Sequence, residues 1–233
     1  MPLVLRSRFN IFLVLTIIFF SVALIQVARA DIFDVPPTHI TTCGEMLLPG
    51  TYTLDNDITS TTTCFIISRD GVEIEGNGHT ITASGTVPLA IDARNYISPD
   101  GGNGYTNTIL SNINFTGFTT LIDASGNTST SSYAGQGGDI YLYYVGATST
   151  NITTLGGTTT ATGYGGLGGN ISITDTALDL SSTTISTTGG VGTTGTNTAG
   201  GLSLTYTSIT HDNITLSPLN YLQQSTSIIH HIR

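Results

Sequence analysis

Catalysis and ligation need groups that ionise, attack or coordinate, and this chain carries few of them. Fifteen acidic residues stand against six basic ones, all arginine, for a formal net charge of −9. Charged residues make up 9% of the chain, against about 25% in an ordinary domain. Glycoside cleavage asks for two carboxylates about 5–9 Å apart. Asp175 and Asp179 come nearest, sharing one face of a strand at i and i+4, but isolated acids on a strand are ordinarily solvated surface. Cys43 and Cys64 are the only cysteines, and two thiols with no nearby histidine pair make a poor zinc site. The methionines are Met1 and Met46, and the one histidine pair is His230-His231, so soft or imidazole-rich copper ligation cannot be assembled. The run Ala134-Gly135-Gln-Gly137-Gly138-Asp139-Ile140-Tyr141 approaches a calcium-binding glycine-aspartate nonapeptide once. The next copy has Asn170 at the matching place, the third has no acid, and the repeat length differs. Asp139 is therefore read as a turn residue, and no catalytic residue, metal ligand or cofactor is assigned. Nucleic acid is excluded as a partner, because phosphate binding requires clustered Lys and Arg.

Two uncharged residue types offer more. Tyr141, Tyr143 and Tyr144 could stack on a sugar, or could form an inward aromatic ladder. Threonine supplies roughly a fifth of the chain, several times ordinary usage. Thr-x-Thr begins, among other places, at Thr51, Thr61, Thr80, Thr106, Thr148, Thr158, Thr174, Thr194 and Thr205. Residues i and i+2 of a strand share a face, and such pairs stacked about 4.8 Å apart would resemble the flat lattice of ice-binding β-solenoids. The pairs do not recur at one fixed repeat position, and several fall in glycine-rich loops. Five Asn-x-Ser/Thr sequons stand at Asn114, Asn127, Asn151, Asn170 and Asn213, acceptors only where the host glycosylates exported proteins.

The elements that must position these residues begin with an address. Arg6 and Arg8, the apolar run from Ile11 to Ile25 and the Ala28-Arg29-Ala30 ending make a secretory signal over residues 1–30, removed by cleavage. The alternative is a retained N-terminal membrane anchor, since the run lies near the lower limit for a span. Cleavage leaves Arg69, Arg94 and Arg233 against all fifteen acids. In an oxidising compartment Cys43 and Cys64 are expected to form a disulfide.

Beyond residue 30 no stretch keeps helical spacing. Short alternating runs such as Tyr52-Thr-Leu54, Phe65-Ile-Ile67, Val72-Glu-Ile74 and Ile113-Asn-Phe115 are punctuated by Gly, Asn, Asp and Ser, which predicts strands of three to five residues joined by tight turns. Gly137-Gly138-Asp139-Ile140-Tyr-Leu142 recurs as Gly168-Gly169-Asn170-Ile171-Ser-Ile173 and as Gly200-Gly201-Leu202-Ser-Leu204. A period of roughly 30 residues built from short strands predicts a β-solenoid. Its glycines are expected to supply corners with positive φ and close approach between turns.

Gly50-Thr-Tyr52-Thr-Leu54, Ile58, Cys64-Phe-Ile-Ile67 and Gly71-Val72-Glu-Ile74-Glu-Gly76-Asn77-Gly78-His79-Thr80-Ile81 resemble the right-handed parallel β-helix, or pectin-lyase-like, superfamily. The glycine-rich copies after residue 134 resemble secreted adhesins of haemagglutinin type. The resemblance implies an all-β, right-handed parallel β-helix over residues 50–217, with a capping segment over 31–49 and a tail or cap over 218–233. That tail either folds back on the last turn or leads into a longer adhesin. The resemblance also raises the possibility of a polysaccharide-degrading enzyme. The family's hydrolases carry Asn-Thr-Asp, Asp-Asp and Gly-His-Gly; here Thr174-Asp175-Thr176 stands for the first, no adjacent aspartates for the second and Gly78-His79-Thr80 for the third. The basic residues that serve its lyases are lacking. The expectation is a non-enzymatic protein, extracellular or on the cell surface, with a structural, adhesive or carbohydrate-binding role. Its partner would be an extracellular polysaccharide or cell-surface glycan, met through Tyr141, Tyr143 and Tyr144, with no membrane span after signal cleavage.

Overall fold

A computed structural model describes residues 31–33, 39–95, 100–131, 133–147, 150–175, 177–179, 183–196, 199–205, 208–210 and 222–224. The chain divides into two compact units, Met1–Asp31 and Ile32–Arg233. The expected signal over residues 1–30 lies outside the described residues, as does most of the tail over 218–233. All that follows concerns the second unit.

Among the described residues there is no helix. The strands of the first half are β1 (Asp31–Phe33), β2 (His39–Ile40), β3 (Gly44–Met46), β4 (Gly50–Leu54), β5 (Ile58–Ser60), β6 (Phe65–Ile67), β7 (Val72–Glu75), β8 (Thr80–Asp92) and β9 (Thr108–Asp123). They continue as β10 (Ile140–Ala147), β11 (Asn151–Thr153), β12 (Ile171–Thr174), β13 (Ala177–Asp179), β14 (Thr184–Ser186), β15 (Val191–Gly192), β16 (Gly195–Thr196), β17 (Leu202–Thr205), β18 (Ser208–Thr210) and β19 (Leu222–Gln224). Most belong to one large, mostly parallel sheet, and among the described residues the small β15–β16 pair is antiparallel.

The registers show how each pass of the chain lies on the one before. One ladder runs Phe65, Ile91, Ile122, Ile152 and Ile185 through β6, β8, β9, β11 and β14. Another runs Tyr52, Ile74, Leu110, Leu142, Ile173 and Leu204 through β4, β7, β9, β10, β12 and β17. All eleven side chains are buried, because alternate residues of a strand point to one face and that face carries the β-branched and aliphatic residues that fit a pleated surface. Each such side chain contributes about 1.5–3 kcal/mol by leaving water. A third row, Thr108, Ile140, Ile171 and Leu202, is apolar except at Thr108. The hydroxyls of Thr108, Thr150 and Thr183 are buried with no protein hydrogen-bond partner. Cys43 and Cys64 form a disulfide, with Cα atoms 4.6 Å apart.

The glycine doublets do something other than turn corners. Positive φ among glycines occurs at Gly50, Gly71, Gly78, Gly85, Gly101 and Gly117, and none of these belongs to a doublet of the repeats. Two non-glycine residues at matched rungs, Asn112 (φ 48°) and Tyr144 (φ 54°), bend β9 and β10 instead. The doublets lie on two extended arms, one leaving the 122/152/185 ladder and one returning to β10, β12 or β17. The arms touch backbone to backbone. The N–H of Gly135 donates to the Asn127 carbonyl (3.0 Å), Gly157 to Gly135 (2.8 Å), Gly166 to Gly157 (2.9 Å) and Gly190 to Gly166 (2.8 Å). This zigzag passes from arm to arm through successive layers. A Cβ on Gly157, Gly166 or Gly190 would overlap the carbonyl oxygen of Asn127, Gly135 or Gly157 respectively. Close approach of main chains is therefore the reason for glycine there.

Candidate functional site

Where the returning arms meet the β10–β12–β17 strands, side-chain oxygens take over the pairing of successive layers. Asp70 Oδ1 accepts the Thr106 N–H (2.8 Å), and Thr106 Oγ1 accepts the Asp139 N–H (3.3 Å). Asp139 Oδ1 accepts both the N–H (2.8 Å) and the Nδ2–H (2.9 Å) of Asn170. Asn170 Oδ1 in turn accepts the Gly201 N–H (2.8 Å). Asp139 is thus a rung of a vertical polar ladder rather than a turn residue alone. A second row stands farther out. Asp100 accepts from the N–H (2.7 Å) and hydroxyl (3.2 Å) of Thr130, and Asn103 Oδ1 accepts the Gln136 N–H (2.8 Å).

Between the two rows lies a cleft of about 660 Å³, lined by Asp70, Asn95, Asp100, Asp139 and Asn170 together with glycine backbone. It shares Gly101, Asn103, Gln136 and Leu167 with a neighbouring hollow of about 610 Å³, whose far side is formed by Tyr133 and Tyr164. These tyrosines pair with each other as parallel bridge partners, and they are 76% and 55% exposed. The two hollows make one groove, with two exposed tyrosines on successive layers at one end and carboxylates at the other, and amides between and beside them. Hydrogen bonding from the Thr130 N–H holds the Asp100 carboxyl below its ordinary range, so it is an acceptor and not a proton donor at neutral pH.

A separate polar cluster lies under the groove. Arg94 makes a paired contact with the buried Asp92, Nε to Oδ1 at 3.0 Å and Nη2 to Oδ2 at 2.7 Å. Its Nε also lies 3.6 Å from Asp123 Oδ2, and Asp92 and Asp123 are register partners on adjacent strands. The guanidinium therefore serves two stacked carboxylates. Tyr105 is buried nearby, and burial raises the pKa of its phenol.

The residues singled out in the sequence fall as follows. Tyr141 and Tyr143 alternate with the buried Ile140 and Leu142 and so lie on the outer face of β10. Tyr143 and Tyr144 are 37% and 50% exposed, and Tyr141 flanks a small hollow of about 220 Å³ beside Asn170 and Ser172. None of the three lines the groove. His79 lies 3.2 Å from Asp57. The Asp175 N–H donates to the Thr205 carbonyl, whereas the Asp179 side chain and the His230-His231 pair lie outside the described residues. Thr51 and Thr53 face Glu73 and Glu75, and Thr80 and Thr82 face Asn114 and Thr116, so neither pair continues as a Thr-x-Thr row onto the next pass. Among the sequons, Asn114 and Asn151 are exposed. Asn127 donates to the Asn95 carbonyl, Asn170 belongs to the ladder, and Asn213 lies outside the described residues.

Sequence reasoning missed Tyr133, Tyr164, Asn103 and Gln136. A signal existed for the tyrosines, since each stands seven residues before a buried isoleucine in Tyr133-x-Gly-x-Gly-Gly-Asp139-Ile140 and Tyr164-x-Gly-x-Gly-Gly-Asn170-Ile171. No family model, curated protein or solved structure matches the chain with significance.

Proposed function

We propose that this chain is an exported β-solenoid, a right-handed parallel β-helix of the pectin-lyase-like kind with an adhesin-like second half. It acts outside the cell or on its surface, and it binds carbohydrate without transforming it. The single observation that carries the binding role is the groove, in which Tyr133 and Tyr164 lie beside Asn103 and Gln136, with Asn95 farther along it. Sugars present apolar C–H faces and rings of hydroxyls, and exposed aromatic faces with neighbouring amides complement both. The carboxylates of Asp70, Asp100 and Asp139 are spent on backbone N–H groups of the next layer, a structural use that supports binding over chemistry. The signal-like N-terminus and the Cys43–Cys64 disulfide support an oxidising destination.

A glycan array probed with the purified chain tests this reading. Selective binding is expected, and the double variant Tyr133→Ala/Tyr164→Ala is expected to weaken it about tenfold or more, from the loss of two aromatic contacts. Release of oligosaccharide products from any bound polymer overturns the non-enzymatic assignment. Undiminished binding by the double variant removes the groove from it.

A further inference from the structure

The groove also has a charge, and that charge specifies a class of ligand. Three carboxylates, Asp70, Asp100 and Asp139, line the cleft, with no Lys, Arg or His among its lining residues. Of the two arginines of the described residues, Arg94 is held by Asp92 and Asp123. Arg69, whose Nη1 donates to the Ser68 carbonyl, reaches the cleft-lining Tyr105 and offsets only one of the three carboxylate charges. The remaining polar lining consists of Asn95, Asn103, Gln136 and Asn170, which both donate and accept without charge. Low-dielectric walls concentrate the field of such a one-signed cleft. We infer that the groove selects uncharged polysaccharides and turns away polyuronates and other carboxylated glycans, a selectivity that rests on the glycan-binding reading above.

The three carboxylates keep their structural bonds while exerting this repulsion, since each accepts an N–H through one oxygen and retains its negative charge. Asn170, at the ladder position one layer above Asp139, shows that an amide serves equally as the acceptor, because its Oδ1 takes the Gly201 N–H. Asp→Asn exchange therefore separates charge from architecture.

The experiment is affinity electrophoresis of the full chain in a panel of neutral glucan, mannan and galactan, each run beside the same polymer carboxylated at C6. For the neutral polymer that binds best, the carboxylated form is expected to bind at least tenfold more weakly in 10 mM salt. The gap should narrow at 0.5 M, where the screening length falls to a few ångströms. The variant Asp70→Asn/Asp100→Asn/Asp139→Asn is expected to reduce the ratio of neutral to carboxylated binding to about threefold or less, whatever its effect on the neutral polymer alone; an unchanged ratio overturns the inference. If the triple variant does not fold, Asp100→Asn reads the same change at smaller amplitude. Equal binding of neutral and carboxylated forms by the unmodified chain overturns the inference and leaves glycan binding standing. Binding of no polymer of either kind overturns both.

Discussion

At Gly166 the carbonyl of Gly135 occupies the space a Cβ would need, whereas at Gly78 that space is open and the demand is a φ of 81°. The two glycines should respond differently to alanine. Gly78→Ala is expected to cost about 1–2 kcal/mol, the penalty of a left-handed L-residue. Gly166→Ala must push two main chains apart and break the zigzag, and about 3 kcal/mol or more is expected. Urea denaturation of both variants measures the difference. Thr108 presents the reverse case, because its buried hydroxyl has no protein partner in a row otherwise made of Ile140, Ile171 and Leu202. Thr108→Val keeps the shape and removes an unpaired polar group, so stability should rise by up to about 1 kcal/mol; a loss on the same assay would mean the hydroxyl is satisfied. Arg94→Gln leaves Asp92, 7% exposed, without its cation. A fully buried pair so broken costs about 3–5 kcal/mol, and the 38% exposure of Arg94 reduces the expectation to about 2 kcal/mol.

Between elements, the places of the strands were the most legible part of the sequence, but their lengths were not. The expected runs of three to five residues are exceeded by β8, β9 and β10, of 13, 16 and 8 residues, because pairing with the neighbouring pass carries a strand through its glycines and asparagines. Phe65-Ile-Ile67, Val72-Glu-Ile74 and Ile171-Ser-Ile173 announce themselves by alternation, because strand burial is a local property of period two. Their recurrence near 30 residues gave the stacking as well. The arms were not legible, since contact between Gly135 and Gly157 joins residues 22 positions apart through main chain alone. Glycine content then reads equally well as corner or as contact. The groove was hidden for a related reason, because Tyr133 and Tyr164 sit at the turns joining the arms, where no alternation marks them. The disulfide was legible from the cysteine count and the signal-like residues of the N-terminus. It ties the segments around β3 and β6 across a separation of 21 residues, and the loop-entropy relation gives about 3 kcal/mol for its closure. The Cys43→Ala/Cys64→Ala variant should lose that amount in chemical denaturation, and the unmodified protein should lose it on reduction. An unchanged midpoint would show that the unfolded chain gains nothing from release.

For the whole molecule, acidity governs how stability varies with pH. The Thr80 N–H lowers the pKa of Asp57 and the Thr130 N–H that of Asp100, each below an ordinary value of 3.8. A carboxylate depressed in the folded state stabilises fully above its unfolded pKa and ceases to do so as pH falls through its folded pKa. Melting temperature is therefore expected to hold steady near neutrality and to fall below about pH 4. Asp57→Asn/Asp100→Asn, which keeps both acceptors, should flatten the acid limb. A limb of unchanged steepness would assign the acid transition to other groups. The zigzag of glycine arms has a further consequence for how such a protein can diversify. Where main chain rests on main chain, the spacing is fixed by peptide geometry and no side-chain exchange can tune it. Novelty is then confined to the turns that carry Tyr133 and Tyr164, which can be lengthened, shortened or rewritten while the chassis beneath them stays the same. One backbone could in this way present a succession of different binding edges, each exchanged as a cassette without refitting the core.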